Sequence, residues 1–141
     1  MATPTLAGST HEYDFQVLEE HLDTFGHMNH AVYLTVFEQA RWDWITHRGY
    51  GLKEIQEKQI GPTILEVNIK YKRELTLREH IRIQSACTEW RGKVGKIKQT
   101  MFNKANEECA EIELVFGVFD MQKRRLVQAP PEWLKAIGMQ E

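Results

Sequence analysis

The sequence has few cysteines and no long hydrophobic run, and these absences exclude several classes of protein. Its two cysteines, Cys87 and Cys109, lie far apart and form neither a zinc-ligand pattern nor a disulfide framework. No apolar segment approaches the roughly 20 residues that a membrane-spanning helix needs. The first ten residues lack the basic and apolar stretches of a signal peptide. We therefore expect a cytoplasmic protein with reduced thiols and no membrane partner.

The chain also lacks an excess of charge of either sign. Its 18 basic and 20 acidic residues give a formal net charge of −2, whereas non-specific nucleic-acid binding needs a broadly basic surface. The 141 residues are 42% hydrophobic, which is ordinary for a globular domain of this length. No linker or internal repeat divides them. We predict one domain over residues 1–141, with residues 1–10 as a disordered tail, and no nucleic-acid partner.

The hydrophobic periodicity indicates an α+β fold with one long helix. Alternating apolar and polar residues predict strands, and a short amphipathic segment and a closing helical turn complete the pattern. Between the first strand and the rest, residues 31–48 switch to helical periodicity, with Asn29 or His30 at the helix start. The predicted strands are 12–18, 65–71, 81–87, 94–102, 109–120 and 126–129, and the shorter helical segments are 52–58 and 131–139.

The long helix carries apolar residues on nearly all sides of its first half. Tyr33, Phe37, Ala40 and Trp44 form one stripe, and neighbouring apolar residues such as Leu34 widen it. We therefore expect other structure to enclose this helix, and the one-sided antiparallel sheet is the obvious cover. The sheet should curl around the helix. Edge strands remain at both ends, so we expect a second subunit to pair with one of them.

The segment from His21 to His30 holds most of the unusual chemistry. Asp23 supplies a carboxylate, Gly26 permits a tight turn, and the helix start offers unpaired N–H groups that stabilise an oxyanion. Two other interpretations remain open. An aspartate shortly before a helix usually just caps or solvates a loop. His21, Asp23, His27 and His30 together suggest a metal site, although their spacing matches no common ligand motif.

The segment 23–41, DTFGHMNHAVYLTVFEQAR, resembles the signature of the 4-hydroxybenzoyl-CoA thioesterase family of hotdog-fold proteins. That signature reads Asp-x-x-Gly-His-Val-Asn-Asn, followed by Tyr and then by Glu-x-Ala-Arg. The chain departs from it at Met28, where valine is usual, and at His30, where a second asparagine is usual. The resemblance implies a hotdog fold, in which a curved antiparallel sheet wraps a long central helix.

The resemblance also implies an activity and the residues that perform it. The activity is hydrolysis of an acyl-CoA thioester, with Asp23 as nucleophile or general base and the backbone amide of His30 polarising the thioester carbonyl. Gly26, His27 and Asn29 would contact the substrate. No metal and no organic cofactor is implied, and the assembly would be a homodimer or a homotetramer made of two dimers, with the site at a subunit interface.

Other candidate residues come from the sequence pattern itself. Arg91 and Lys93, in a basic cluster around two glycines, are predicted to bind the phosphates of coenzyme A. Tyr33 fits the wall of an acyl pocket or the core equally well. Glu38 is a charge in an apolar helix, and we expect it to pair with Arg41 on the same face.

Three further functions remain as alternatives, beside a metal-dependent hydrolase that would use the metal site considered above. A hydratase or dehydratase of acyl thioesters would use a histidine paired with an acid in a motif that the sequence does not contain. A non-catalytic acyl-CoA-binding module would keep the fold without turnover. A thioesterase acting on acyl carrier protein would share the chemistry but not the thiol carrier.

Overall fold

The computed structural model describes residues 10–140, so most of the predicted tail, residues 1–9, lies outside the described residues together with residue 141. The strands are β1 (His11–Gln16), β2 (Ile60–Tyr71), β3 (His80–Arg91), β4 (Val94–Phe102), β5 (Glu108–Asp120) and β6 (Arg125–Leu126). The helices are α1 (His30–His47), α2 (Leu52–Lys58) and α3 (Pro131–Ala136), and a short 3-10 turn spans Glu19–His21.

All the strands form one antiparallel sheet in the order β1-β3-β4-β5-β2, with β6 paired to the end of β5. Irregular registers interrupt β2 between Ile64 and Glu66 and β3 between Cys87 and Glu89. Bulges of this kind bend a strand and increase its twist. The sheet accordingly curls around α1, which confirms the predicted α+β hotdog architecture.

Helix α1 lies in the hollow of the sheet. Its predicted stripe of Tyr33, Phe37, Ala40 and Trp44 is buried, and the Asn29 side chain caps the helix by accepting from the Ala31 amide at 2.8 Å. The expectation that the helix is enclosed is wrong for this chain, because Leu34 on the other side is 41% exposed. The sheet covers one side of the helix and leaves the other side open.

The edge strand β2 shows a related departure from its sequence pattern. Its alternation predicted a half-buried strand, but Leu65, Val67 and Tyr71 are each nearly half exposed. The physical reason is its position, since β2 has a neighbour, β5, on one side only. Alternation identifies the apolar face of a strand but does not say whether the same chain covers it.

Helix α3 closes the far end of the molecule. Trp133 of α3 packs edge-on against Tyr50 and Trp90, with ring centroids 5.8 and 5.7 Å apart. The guanidinium of Arg48, just after α1, donates to the carbonyl of Lys135. These contacts place the C-terminal end of α1 beside the turn between β3 and β4.

The ion pair expected between Glu38 and Arg41 is not among the salt bridges of residues 10–140. Arg41 instead donates to Oε1 of Gln99 at 3.0 Å, and the Gln99 amide donates to the Phe37 carbonyl and to the Ser85 hydroxyl, each at 2.9 Å. Burial lowers the pKa of Arg41 to about 10. Arg41 is therefore bound by Gln99 of β4 and not by Glu38, which sequence proximity suggested.

Both cysteines are buried, and neither is part of a disulfide among the described residues. Burial raises the pKa of the Cys87 thiol to about 12, which keeps it in the unreactive thiol form. None of the helices in the described part of the chain is long and apolar enough to cross a membrane.

Candidate active site at the start of the long helix

The loop before α1 is a tight turn closed by its own backbone. The Asp23 amide donates to the His27 carbonyl at 2.8 Å, and the Gly26 amide donates to the Asp23 carbonyl at 3.1 Å. Gly26 has a φ of +79°, a left-handed conformation that side chains disfavour, although a methyl group there would meet no atom within 4 Å. Glycine is therefore required by the backbone and not by crowding.

Asp23 uses one carboxylate oxygen to hold this turn. Its Oδ1 accepts from the amides of Phe25 at 2.9 Å and of His27 at 3.2 Å. Among the described residues, Oδ2 has no hydrogen-bond or ionic partner. The side chain is thus fixed in orientation by two N–H groups while one oxygen remains available for chemistry.

Residues distant in sequence attach the loop to the sheet. The Met28 amide donates to the Leu75 carbonyl at 2.7 Å, and His27 forms an antiparallel bridge with Thr76. The Asn29 amide is taken by the His21 carbonyl at 2.9 Å. The segment just before β3 therefore fixes the position of the candidate catalytic turn.

The first amide of α1 remains unsatisfied. Asn29 serves the Ala31 amide, and none of the hydrogen bonds formed within residues 10–140 gives the His30 amide an acceptor. The first amides of a helix have no intrahelical partner, and they lie at the positive end of its dipole. The His30 N–H is accordingly a donor suited to a developing negative charge.

Asp23 and His30 line the same open pocket of about 340 Å³ at this end of the molecule. Tyr71 on its wall donates to the His30 carbonyl at 3.0 Å and meets the Tyr33 ring edge-on at 5.0 Å between centroids. Burial raises the pKa of Tyr33 to about 12, so its hydroxyl stays protonated. The remaining lining residues are His27, Met28, Lys72, Arg73 and Glu74.

Sequence reasoning missed the part of this wall that follows β2. The run Tyr71 to Glu74 begins at the last residue of the edge strand β2 and is polar, which is the only local signal that it carries. Its charges are already paired: Lys72 with Glu108 and Glu111, and Arg73 with Glu107 at 3.0 Å. The pocket therefore has charged groups of both signs at its rim.

The thioesterase-like superfamily model matches residues 17–137, which is most of the chain. The chain belongs to that superfamily. It is 26% identical over 106 residues to the long-chain acyl-CoA thioesterase FadM of Escherichia coli, covering 74% of this chain and 80% of FadM. It is 23% identical over 110 residues to the E. coli acyl-CoA thioester hydrolase YbgC, covering 78% and 82%.

A solved structure gives the same fold at lower sequence identity. A Staphylococcus aureus protein in complex with CoA superposes with a TM-score of 0.86 at 19% identity, covering 97% of this chain and 85% of that one. The family resemblance, the hotdog fold and the thioesterase class predicted from the sequence are thereby confirmed.

The histidines of this thioesterase-like chain do not form the metal site considered from its sequence. The His27 Nε2 lies 3.1 Å from the Glu74 carboxylate, and the His21 Nδ1 accepts from the Leu18 amide at 2.8 Å. Within residues 10–140, the ligand atoms of His21, Asp23, His27 and His30 do not converge. His21 is engaged in holding the loop.

The two predicted phosphate-binding residues lie elsewhere in the thioesterase-like fold. Arg91 and Lys93 are exposed at the turn between β3 and β4, beside the C-terminal end of α1. The 12 residues of β3 span roughly 36 Å at about 3.3 Å per residue. Arg91 also lies 3.7 Å from the carboxylate of Glu89. One chain therefore does not bring Arg91 and Lys93 to the pocket of Asp23.

Proposed function

We propose that the chain hydrolyses acyl-CoA thioesters, with the Asp23 carboxylate and the His30 amide as the reacting pair. The observation that carries this proposal is that an unpaired oxygen of Asp23 and an unpaired helix-start amide line one pocket. The family and its relatives support the reaction class.

The chemistry needs only these two groups and water. The thioester carbonyl would accept a hydrogen bond from the His30 amide, and Asp23 would either attack the carbonyl carbon or remove a proton from the attacking water. The His30 N–H would then hold the oxyanion, and a single such donor is typically worth about 3 kcal/mol. Thiolate is a good leaving group, so no strong acid is required.

Gly26, His27 and Asn29 would act through the shape of the loop. Gly26 allows the turn, His27 supplies one amide to Asp23, and Asn29 caps the helix whose next amide, that of His30, faces the substrate. Tyr33 would form the inner wall of the pocket, where its ring packs against Tyr71 and its hydroxyl stays protonated.

An open apolar groove is the proposed place for the acyl group. It has a volume of about 260 Å³ and lies between α1 and the inner side of β2 and β5. Its apolar walls suit an extended hydrocarbon chain, in keeping with the long-chain substrate in the name of FadM. The groove is lined by Leu34, Thr35, Glu38, Arg41, Ile64, Val67, Ile112 and Leu114.

The coenzyme A phosphates would meet basic residues at the edge of the assembly. Arg73 at the rim of the pocket is one proposed contact, through exchange of its partner Glu107 for a phosphate. Arg91 and Lys93 remain proposed contacts only for the pocket of a second subunit. The Asp23 pocket of their own chain lies at the other end of the sheet.

We also propose that β2 pairs with a second copy of the chain. The strand is an edge strand with four half-exposed apolar side chains, and α1 leaves Leu34 exposed on the same side. Pairing would cover both surfaces and close the acyl groove. A homotetramer would form from two such dimers.

The decisive experiment compares Asp23→Asn with the wild type. Asparagine keeps an Oδ1 acceptor for the two loop amides but removes the charge, so we expect folding and substrate binding to persist. Turnover should fall by a factor on the order of 10²–10⁴. Free-thiol release from a panel of short, long and aromatic acyl-CoAs measures turnover, and calorimetry measures binding of a non-hydrolysable thioether analogue.

The matched control is Asp14→Asn, which removes a carboxylate from an exposed position on β1. This variant should keep wild-type turnover. Undiminished hydrolysis by Asp23→Asn would remove Asp23 from the mechanism. Binding of the analogue without hydrolysis by the wild type would instead assign a non-catalytic acyl-CoA-binding role.

A further inference from the structure

Two imidazoles and one carboxylate converge at the opposite end of α1 from the candidate active site. His11 opens β1, and Asp43 and His47 lie one helical turn apart near the end of α1. The His11 Nε2 is 2.6 Å from Asp43 Oδ2, and the His47 Nδ1 is 3.5 Å from Asp43 Oδ1. The three potential ligand atoms all lie within 4.8 Å of one another.

We propose that His11, Asp43 and His47 form a binding site for a divalent transition-metal ion of the zinc class. Two imidazole nitrogens and a carboxylate are a donor set that suits zinc, nickel, copper and cobalt and not magnesium or calcium. Ligands at i and i+4 on a helix share one face, as in zinc-binding helices. With both imidazoles neutral, the cluster carries a single negative charge, which favours a dication.

The metal-free geometry already resembles the liganded arrangement. Asp43 lies between the two imidazoles, whose ring centroids are 5.7 Å apart. In the metal-free state the His11 ring hydrogen-bonds to Asp43 at 2.6 Å, and a bound ion would take the place of that hydrogen bond. The His47 Nδ1 lies 2.7 Å from the Asp43 carbonyl, so a small rotation of the exposed ring would redirect it to the ion.

An adjoining hollow leaves room for the remaining ligands. It has a volume of about 340 Å³ and is lined by Tyr13, Gln39, Trp42 and Thr46 together with Asp43 and His47. Gln39 lies one turn before Asp43 on the same helix face, where its side-chain oxygen or a water would complete a tetrahedral site. Among the residues within 10–140, no other group of three such side chains meets the same distance condition.

The position of the site indicates a structural role and not a catalytic one. Asp43 is 13 residues beyond His30, or roughly 20 Å along the helix at 1.5 Å per residue. An ion held there would tie the edge strand β1 to the end of α1. A ligand that binds only the folded state stabilises it by mass action, so the ion should raise the thermal unfolding temperature.

The test uses the full-length protein after chelator treatment and dialysis. Isothermal calorimetry with zinc chloride should show one ion per chain, and cobalt chloride should give a visible absorption band. Magnesium chloride should give neither signal. His47→Ala removes an exposed ligand and should leave metal-free stability unchanged while weakening zinc binding by at least about tenfold, since even supporting residues of metal sites are worth 10–100-fold.

A second variant and two controls keep the test decisive. His11→Gln retains an N–H donor for Asp43, so it should fold and still lose zinc affinity to a similar degree. His80→Ala, on β3, and His27→Ala, in the catalytic loop, should both bind zinc as the wild type does. Absence of stoichiometric zinc binding, or binding that survives His47→Ala but not His27→Ala, would overturn the proposal.

Discussion

At the scale of single residues, the candidate site depends on one carboxylate that has two roles. Oδ1 of Asp23 organises the turn by accepting from two amides, whereas Oδ2 has no partner among the described residues, and Asp23 lines the pocket. The turn also needs Gly26 in a left-handed conformation. The geometry of the loop therefore also fixes the position of the oxygen that we propose to be reactive.

A comparison of Gly26→Ala with Gly49→Ala should distinguish the effect of backbone strain on stability from its effect on turnover. Both glycines have a positive φ, and a methyl group at either position meets no atom within 4 Å. Each substitution should therefore lower the free energy of unfolding by about 1–2 kcal/mol, measured by urea denaturation. Only Gly26→Ala should also reduce turnover, because Gly49 lies just beyond the far end of α1. Equal turnover in both variants would contradict the coupling of loop geometry to catalysis.

The sequence predicted the members of this loop but not what holds it. Asp23, Gly26 and Asn29 are adjacent, so a family pattern and local backbone rules identify them. The contacts to Leu75, Thr76 and Glu74 join positions some 45 to 50 residues away, and no local rule reports them. His11 and Asp43, 32 positions apart, escaped attention for the same reason.

At the scale of elements, the interior of the sheet and α1 are joined by a buried polar group. Gln99 of β4 accepts from Arg41 of α1 and donates to the Phe37 carbonyl of the same helix and to Ser85 of β3. The fully buried side-chain amide of Gln99 thus satisfies two polar groups of α1 and one of β3. Helix position is set by polar as well as apolar contacts.

Gln99→Leu should destabilise the fold by about 2–4 kcal/mol. The substitution preserves approximate volume but leaves a carbonyl, a hydroxyl and a half-buried guanidinium without their partner. Gln84→Leu is the matched control, since Gln84 on β3 only reaches the exposed Glu12 and should change stability by less than about 0.5 kcal/mol. Urea denaturation monitored by tryptophan fluorescence measures both, and similar values for the two variants would refute this role of Gln99.

The bounds of α1 and β4 followed closely from local signals, whereas β2 begins five residues before and β3 ends four residues after the predicted bounds. Burial did not follow from local signals. The predicted helix at 31–48 differs by one residue at each end from α1, because Asn29 caps its start and Gly49 ends it. Local patterns do not report long-range partners or the covering of an apolar face, as Arg41 and Val67 show. Arg41 finds its partner on a distant strand, and Val67 belongs to an apolar face that this chain leaves open.

At the scale of the whole molecule, one side exposes apolar residues that the chain itself does not cover. The exposed apolar residues of β2 and the open side of α1 adjoin, and the proposed acyl groove runs between them. The opposite face of β2 carries polar residues such as Asn68 and Lys70. The proposed homodimer would cover the apolar side and leave the polar side in water.

Val67→Lys should convert the proposed dimer into monomers. It places a charge in the proposed interface and removes from each subunit a part of the roughly 1.5–3 kcal/mol that complete burial of an aliphatic side chain is worth, since Val67 is 44% exposed in the single chain. Light scattering coupled to size exclusion measures the mass, and thiol release should fall in parallel. Asn68→Lys, on the polar face of the same strand, should keep the dimer. A fully active wild-type monomer would contradict an interface-built site.

The hydrogen bond from Tyr71 to the His30 carbonyl has a kinetic consequence. It joins the half-exposed end of the edge strand to the first peptide unit of α1, next to the amide that would polarise the substrate. Association through β2 would restrict Tyr71 and thereby the donor that it orients. Specific activity should then be a function of enzyme concentration, declining on dilution below the dissociation constant of the dimer and recovering when the solution is concentrated again.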